Sequence, residues 1–169
     1  SDGKPYVVGE FNAGGSGGGP RKDGVDVIET DGSNCMNMPV EALELEAPAR
    51  VHRMSLRTDS GGIGEFRGGL GCVREIEFLA DDIALTHRGE RHRHAARGSQ
   101  GGGDGAKAFS KIVRRNGSEE VVNSKLFTIV HAGERLILET AGGGGYGKSN
   151  KRDRQAIRDD VSNGKVSQQ

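Results

Sequence analysis

The stretch DSGGIGEFRGGLG, residues 59–71, combines acids, an arginine and an aromatic side chain with six glycines. Flexible linkers are Gly/Ser chains without anchoring side chains, so we expect a packed and sharply folded loop here. The planar fork of Arg67 can hold Asp59, Glu65 or loop carbonyls through parallel hydrogen bonds. This arginine either orients a bound ligand or forms a purely structural ion pair that stabilises the loop.

A second polar segment, NMPVEALE at 37–44, carries an asparagine and a glutamate on either side of Pro39, with Asn34 just before it. An asparagine amide donates and accepts at once, and a carboxylate after a rigid proline has a fixed direction. Such groups can orient an amide or lactam ring, but they can equally cap local backbone or start a helix or strand. We predict orienting roles, and assign no catalytic residue, for the four candidates Asn37, Glu41, Asp59 and Arg67.

Two other patterns suggest cofactors that the surrounding sequence disfavours. GGGGYGKS at 142–149 fits the phosphate-binding pattern GxxxxGK[ST], but the 20 residues that follow leave no room for a second parallel strand with an acidic magnesium ligand. His87, His92 and His94 could bind zinc, with the last two on one face of a strand, but the neighbouring arginines oppose a dication. We therefore predict neither a nucleotide nor a metal on this chain.

Composition limits the class of protein. The chain has 169 residues, one domain's worth, with 29 glycines, 4% aromatic residues and no net charge. A neutral chain without an apolar run of about 20 residues or a signal-peptide core is not expected to bind nucleic acid or a membrane. Cys35 and Cys72 form no disulfide framework or metal pattern and have no activating neighbours, which favours the cytoplasm. Because so few large apolar side chains can be buried, we expect the domain to be stabilised by contacts with additional protein.

The elements expected to position these residues are mostly strands. Alternating residues predict strands within 5–12, 26–30, 49–57, 72–79 and 82–88, with the last two joined as a hairpin through residues 80–82. Two further hairpins are predicted, one with a type I′ turn at Asn116-Gly117 and one at Ala132-Gly133. A helix is expected at about 151–163. The fold is predicted to be mainly β, an antiparallel sandwich or barrel-like sheet pair with glycine-rich loops.

These motifs resemble the hydantoinase B family, which includes the B subunits of ATP-dependent N-methylhydantoinases and the C-terminal half of 5-oxoprolinase. The similar segments are DSGGIGEFRGGLG, NMPVEALE, RHRHAARGSQGGGDG at 91–105 and AGGGGYG at 141–147. Ala141, the Ala95-Ala96 pair and Lys148-Ser149 depart from the family pattern. Family members are much longer, so the resemblance implies one domain, residues 1–169, that is the C-terminal module of a longer polypeptide.

The resemblance also implies a function. It indicates an ATP-dependent enzyme that hydrolyses the C–N bond of a hydantoin or lactam ring and is inactive as this module alone. ATP and Mg²⁺ would act through a hydantoinase A-type partner, and the B portion would let water open the activated ring. Two alternatives remain: a purely structural domain at a subunit interface, or part of a related ATP-dependent ketone carboxylase.

Overall fold

The computed structural model describes residues 6–29 and 37–168. Within them, seven strands account for most of the regular structure, and a short helix lies at each end of the strand region. The helices are α1 (Val40–Glu46) and α2 (Arg154–Ser162), with a 3₁₀ turn at Ser149–Lys151. The strands are β1 (Ala49–Leu56), β2 (Cys72–Phe78), β3 (Ile83–Arg88), β4 (Phe109–Val113), β5 (Glu119–Val121), β6 (Lys125–Val130) and β7 (Arg135–Glu139).

The strands form two antiparallel sheets. One sheet has the order β1-β2-β7-β4-β5, and the other pairs β3 with β6. Side chains from both sheets meet in one core, because strand residues two apart point to the same face. That core contains Phe78, Ile112, Val122, Val130, Leu136 and Leu138, with Ile83, Leu85 and Leu126 packed against it. The predicted mainly β, antiparallel fold with a C-terminal helix is confirmed; it is a pair of open sheets and not a closed barrel.

The predicted strand pairing is wrong in two places. The turn at residues 80–82 does not close a hairpin, because β2 pairs with β1 and β7 while β3 pairs with β6. The turn at Ala132-Gly133 exists, and its Glu134 N–H donates to the His131 carbonyl at 3.0 Å. However, β6 and β7 on its two sides belong to different sheets. Both turns therefore carry the chain across the core.

The hairpin between β4 and β5 is confirmed, with Val113 opposite Glu119. Its turn is not type I′, since that type needs positive φ at both central residues and only Gly117 has one, at 80°. The Gly117 N–H donates to the Arg114 carbonyl at 2.9 Å, so the central residues are Arg115 and Asn116. The glycine follows the turn in the left-handed region, as in a three-residue hairpin loop.

Two predicted strands are absent from the described residues. Residues 6–12 and 26–29 form no strand; residues 5 and 30 lie outside the description. The alternating side chains at 6–12 have few apolar partners: Val7 is 99% exposed and Phe11 is 66% exposed. Alternation alone does not make a strand when no neighbouring edge accepts it.

The glycine-rich segments form a bundle of extended chains. Segment 141–147 runs through it, surrounded by residues 14–18, 61–69 and 97–105. Backbone hydrogen bonds join it to all three neighbours: Gly18 N to Gly144 O at 2.8 Å, Gly143 N to Gly69 O at 2.9 Å, and Gly145 N to Gly103 O at 2.9 Å. We call this the glycine bundle.

Side chains are excluded from the centre of this bundle by close contact. A Cβ atom placed on Gly143 would lie 1.9 Å from the carbonyl oxygen of Ser16, far inside van der Waals contact. Gly142 to Gly145 are all buried. Glycine is required there because the neighbouring backbones occupy the space that a methyl group would fill. The prediction that the glycine stretches are packed and not floppy agrees with this arrangement.

The two helices flank the strand region. Helix α1 begins after Pro39, which occupies the N-cap position, and its Leu43 is buried. Helix α2 begins at Arg154, three residues later than predicted, because the side chain of Asp153 accepts hydrogen bonds from the N–H groups of Gln155 and Ala156. Gly164 follows the helix at φ 67°.

None of the helices in the described ranges has the length and apolar character needed to cross a membrane.

Candidate functional site

Arg67 lies at the inner side of the 59–71 loop and is 5% exposed. Its guanidinium donates to Asp160 at 3.3 Å, to Asp26 at 3.3 Å and to the carbonyl oxygen of Gly68 at 2.6 Å. The expected contact with a loop carbonyl is present. The expected pairing with Asp59 or Glu65 is wrong, because the acids that Arg67 reaches are distant in sequence.

Arg67 and two other basic side chains meet three acidic side chains here. Arg152 binds both Asp23, at 2.7 Å, and Asp160, at 2.6 Å, and Lys165 binds Asp26 at 2.8 Å. The set Arg67, Arg152, Lys165, Asp23, Asp26 and Asp160 is called the ionic cluster. Its three positive and three negative side chains neutralise one another. The cluster joins the 59–71 loop to the 19–28 loop and to helix α2.

The electrostatics of the ionic cluster favour ionised carboxylates. Burial alone would raise the pKa of Asp23, but hydrogen bonds from Arg152 and from the Arg67 backbone N–H outweigh burial and lower it. Burial likewise opposes the ionisation of Asp26, yet hydrogen bonds from Lys165 and the Leu70 N–H lower its pKa. The pKa of Arg152 is raised by its hydrogen bond to Asp23. These aspartates are therefore charged at neutral pH and hold the arginines in place.

Asp59 is exposed and has a φ of 61°, which is unusual for a non-glycine residue. Its backbone N–H donates to the carbonyl of Lys165 at 3.0 Å, and its carboxylate accepts from the N–H of Ser167 at 2.9 Å. Asp59 thus contacts the segment after helix α2, whereas Arg67 binds Asp160 within that helix, and the two side chains do not bind each other.

Asn37 and Glu41 lie at the other motif, near α1. Asn37 is half-buried ahead of the helix, and Glu41 is exposed in its first turn. Among the described residues, no hydrogen bond or ion pair connects either of them to Asp59 or Arg67. Asn34 and Cys35 fall outside the described ranges. The structure therefore brings together two of the four candidates, through the C-terminal segment, and leaves the α1 pair apart.

Sequence reasoning missed most of the ionic cluster. Asp26 and Asp160 lie 41 and 93 positions from Arg67, so no local spacing links them. The sequence shows only that Asp23 and Asp26 lie close to Gly24, and that Asp160 is one of several charged residues in the predicted C-terminal helix. Neither pattern indicates a partner without the fold.

The geometry of segment 142–149 opposes phosphate binding. A phosphate loop needs free backbone N–H groups that point at the ligand. Here the N–H groups of Gly142, Gly143, Gly145 and Gly147 donate to carbonyls of Ala106, Gly69, Gly103 and Ser99 at 2.9 to 3.1 Å. Their donors are already used within the glycine bundle.

The histidines do not form one group. The rings of His87 and His92 meet edge to face with centroids 5.5 Å apart, and His92 Nε2 lies 3.2 Å from Ser110 Oγ. Burial, and then the charge of His92, lower the pKa of His87. His94 lines a separate pocket, and residues 91–94 lie in a loop, without the shared strand face that a zinc site at His92 and His94 would use. Within the described ranges, no group of three or more His, Cys, Asp or Glu residues is placed to hold a metal.

Cys72 is buried, and burial raises the pKa of its thiol. Its sulfur contacts the hydroxyl of Thr140 at 3.6 Å. A thiol that stays protonated at neutral pH is a poor nucleophile. This environment agrees with the expectation that Cys72 is not catalytic.

Comparison with known proteins connects these features to a family. The model of the Hydantoinase B/oxoprolinase family matches residues 1–149. The chain is 34% identical over 139 residues to 5-oxoprolinase of Dictyostelium discoideum, covering 82% of this chain and 11% of that protein. It is 35% identical over 136 residues to caprolactamase subunit beta of Pseudomonas jessenii, covering 78% of this chain and 23% of the relative. The chain therefore spans less than a quarter of the length of these relatives.

Solved structures share the fold. The ATP-dependent caprolactamase from Pseudomonas jessenii superposes with a TM-score of 0.73 at 31% identity, over 91% of this chain and 28% of that chain. Acetone carboxylase in its nucleotide-free form superposes with a TM-score of 0.78 over 92% of this chain and 25% of its own, but at 19% identity this likeness concerns the fold alone. The match to the family model and these likenesses lead to one conclusion: the chain belongs to the Hydantoinase B/oxoprolinase family.

Proposed function

We propose that this chain is the C-terminal module of the B portion of an ATP-dependent hydrolase that cleaves the C–N bond of a hydantoin or lactam ring. The observation that carries this proposal is the likeness to ATP-dependent caprolactamase along 91% of the chain. Because the relatives are several times longer, residues 1–169 act in the proposal as one β-rich domain of a larger cytoplasmic enzyme.

The chemistry that requires ATP is the activation of an amide. A lactam carbonyl is a poor electrophile until its oxygen becomes part of a phosphate leaving group. In this proposal a hydantoinase A-type subunit or domain binds ATP with Mg²⁺ and transfers the γ-phosphoryl group to the carbonyl oxygen of the ring amide, releasing ADP. In the B portion water then adds to the carbonyl carbon, and the C–N bond breaks as the ring nitrogen takes up a proton, which leaves an acyl phosphate. A second water hydrolyses the acyl phosphate to a carboxylate and inorganic phosphate. The present chain supplies walls and orienting groups, and the nucleotide binds elsewhere.

We assign orienting roles to Asn37, Glu41, Asp59 and Arg67 within that larger enzyme. Arg67 is the most constrained of them, since its fork is fixed by Asp26 and Asp160. Replacing Arg67 with alanine in the assembled enzyme should lower kcat by more than the loss of folded protein explains. Arg67→Lys, which retains the charge, is the matched variant. A kcat that is unchanged per folded molecule would remove Arg67 from the site.

A structural role at a subunit interface is the second candidate, and two observations favour it. The Nε and Nη1 donors of Arg67 are used in the ionic cluster and on the Gly68 carbonyl, which stabilises the loop without a ligand. Large apolar side chains are also exposed: Val7 at 99%, Leu45 at 87% and Phe11 at 66%. In this case substitutions in the 59–71 loop would change assembly and melting temperature but not kcat.

A direct assay separates the candidate activities. The complex with its A-type partner would be tested with ATP against hydantoin, 5-oxoproline, caprolactam and acetone, with and without bicarbonate. We expect ADP release coupled to ring opening, independent of bicarbonate. Consumption of acetone only with bicarbonate would assign the carboxylase branch instead, and no ATP-dependent turnover of any ring would contradict the proposal.

A further inference from the structure

A second loop of the glycine bundle forms a positively charged pocket of about 520 Å³. Five of its lining side chains are basic or can become so, and one is acidic. They are Arg91, Arg93, His94, Arg97, Lys107 and Asp104. We call this the basic pocket. It lies apart from the ionic cluster, and neither the nucleotide nor the metal pattern found in the sequence explains it.

The cations of the basic pocket lack carboxylate partners. Some arginines elsewhere in the described chain are paired, as Arg114 is with Glu120 and Arg135 with Glu75. Within residues 6–29 and 37–168, no ion pair involves Arg91, Arg93, Arg97 or Lys107. The single acid, Asp104, accepts the backbone N–H of Gly98 at 2.9 Å, so one of its oxygens serves the loop itself. The pocket therefore carries a local positive field in a chain with no net charge.

The backbone beneath these cations is fixed before any ligand arrives. The N–H of Gly105 donates to Ala96 O at 2.9 Å, and the N–H of Ala108 donates to Arg91 O at 3.1 Å. A Cβ on Gly144 would lie 2.2 Å from the Arg97 carbonyl oxygen, so that part of the loop packs directly on the glycine bundle. Arg91 has a φ of 63°, in the left-handed region that few non-glycine residues adopt.

The lining selects one kind of ligand. Arginine forks match the tetrahedral oxygens of a phosphate, which can accept from several donors at once. Ala95 is the only apolar residue of the lining, so the pocket offers little surface for a hydrocarbon ring. A monocarboxylate would use one fork and leave the other cations unpaired. Several unpaired cations around one open cavity fit a multiply charged oxyanion best.

We propose that the basic pocket binds a phosphate group. This inference rests on the proposed function, in which ATP-dependent ring opening forms a phosphorylated ring and releases inorganic phosphate. Either species presents the same phosphoryl oxygens to Arg93, Arg97 and Lys107. The pocket would hold that group while water reacts, or receive the phosphate after the ring has opened.

The test measures the binding of inorganic phosphate to the assembled enzyme by titration calorimetry at constant ionic strength. Wild-type protein should bind phosphate saturably. The Arg93→Ala/Arg97→Ala double variant should bind it about tenfold more weakly or worse, the loss expected when charge-assisted hydrogen bonds are removed. Lys107→Ala should weaken it less, and Arg158→Ala, an exposed arginine on α2 that binds Gln155, is the matched control. Both arginines of the pocket are exposed and unpaired in the described chain, so the double variant should keep the wild-type melting temperature.

Four outcomes would overturn the assignment. They are no saturable phosphate binding, equal binding by the double variant, displacement of phosphate by equimolar acetate, and loss of subunit assembly in the double variant without loss of phosphate binding. Turnover of the cyclic amide is measured separately on the same samples. Phosphate binding without turnover would support the assignment of the pocket and reject the proposed function. Turnover without phosphate binding would support the proposed function and reject the assignment of the pocket. If the double variant is less stable than expected, Arg97→Lys, which keeps the charge but loses the fork, should still weaken phosphate binding.

Discussion

At the scale of single residues, Arg67 shows how one side chain can hold distant parts of the chain together. It is buried, and its guanidinium binds acids from the 19–28 loop and from helix α2. Removing one partner from a buried ion pair leaves uncompensated charge behind. We expect Arg67→Ala to lower the free energy of unfolding by roughly 3 to 5 kcal/mol, measured by urea denaturation.

Two further variants control this measurement. Arg67→Lys should lower the free energy of unfolding by less than Arg67→Ala does, because it retains the charge. Arg158→Ala, on the exposed side of α2, should change the free energy of unfolding by about 0.5 kcal/mol or less. Equal stability of Arg67→Ala and the wild type would show that the ionic cluster contributes nothing to folding.

The ionic cluster also predicts a pH dependence. The pKa values of Asp23 and Asp26 are lower in the folded chain than the ordinary value of 3.8. The unfolded chain therefore takes up protons first as the pH falls, and the stabilisation present above pH 3.8 is lost as the pH falls through the lower folded values. The urea midpoint, measured from pH 7 down to pH 3, should drop steeply at the acid end.

Asp26→Asn gives the matched test of that slope. The variant should be less stable than the wild type at pH 7, because Arg67 and Lys165 lose a charged partner. It should also lose less further stability on acidification. An acid slope identical to that of the wild type would mean that other carboxylates cause the acid sensitivity.

The contacts of a side chain can be predicted from the sequence only where its partners are close along the chain. The loop carbonyl that Arg67 contacts belongs to Gly68, its immediate neighbour. Asp26 and Asp160 come from far along the chain, and residues this distant meet only after the backbone has folded. The orienting roles of Asn37, Glu41, Asp59 and Arg67 remain predictions that the kinetic test above addresses.

At the scale of elements, the glycine bundle makes the sharpest stability prediction. A methyl group on Gly143 would overlap the Ser16 carbonyl, which is backbone and cannot rotate away. Gly143→Ala should therefore cost roughly 3 kcal/mol or more, measured as the loss in unfolding free energy. Gly9→Ala is the control, since nothing lies within 4 Å of that position. A fully stable Gly143→Ala chain would mean that the segments are not packed against one another.

Helix α2 depends on its cap. The Asp153 carboxylate accepts from two backbone N–H groups that the helix itself cannot satisfy. Asp153→Ala should cost about 1 kcal/mol, while Asp153→Asn, which keeps an accepting oxygen, should cost less. Thermal unfolding of the three proteins checks this order, and an alanine variant as stable as the asparagine variant would contradict the capping role.

Elements could be predicted better than their partners. Strands at 49–56, 72–78 and 83–88 appear where alternation placed them, because alternation reports that one face is buried. It does not report which strand lies alongside. Alternation therefore predicts hairpins at 80–82 and 132–133, although each of these turns connects strands of different sheets. The hairpin predicted around Asn116-Gly117 is present, with its turn one residue earlier, at Arg115-Asn116, and Gly117 following it at positive φ.

At the scale of the whole molecule, two kinds of packing stabilise the chain. The sheets are held by side chains such as Phe78, Ile112 and Leu136. The glycine bundle is held by backbone hydrogen bonds and carries the loops of the candidate sites. Composition predicts only that the core is small, since 29 glycines and few aromatic residues leave little apolar surface to bury. The mutual packing of four separate glycine segments was not predictable, because glycines carry no side chain that could indicate a partner.

The central claim is that the glycine bundle and the sheets fold as one cooperative unit, which lets the bundle hold polar groups rigidly. Native-state hydrogen exchange of the assembled enzyme tests it most directly. The amides of Gly143, Gly145 and Gly147 should exchange with the same free energy as those of β7, because both open only when the domain unfolds. Exchange of the glycine amides near the rate of an unstructured peptide, with β7 still protected, would contradict the account.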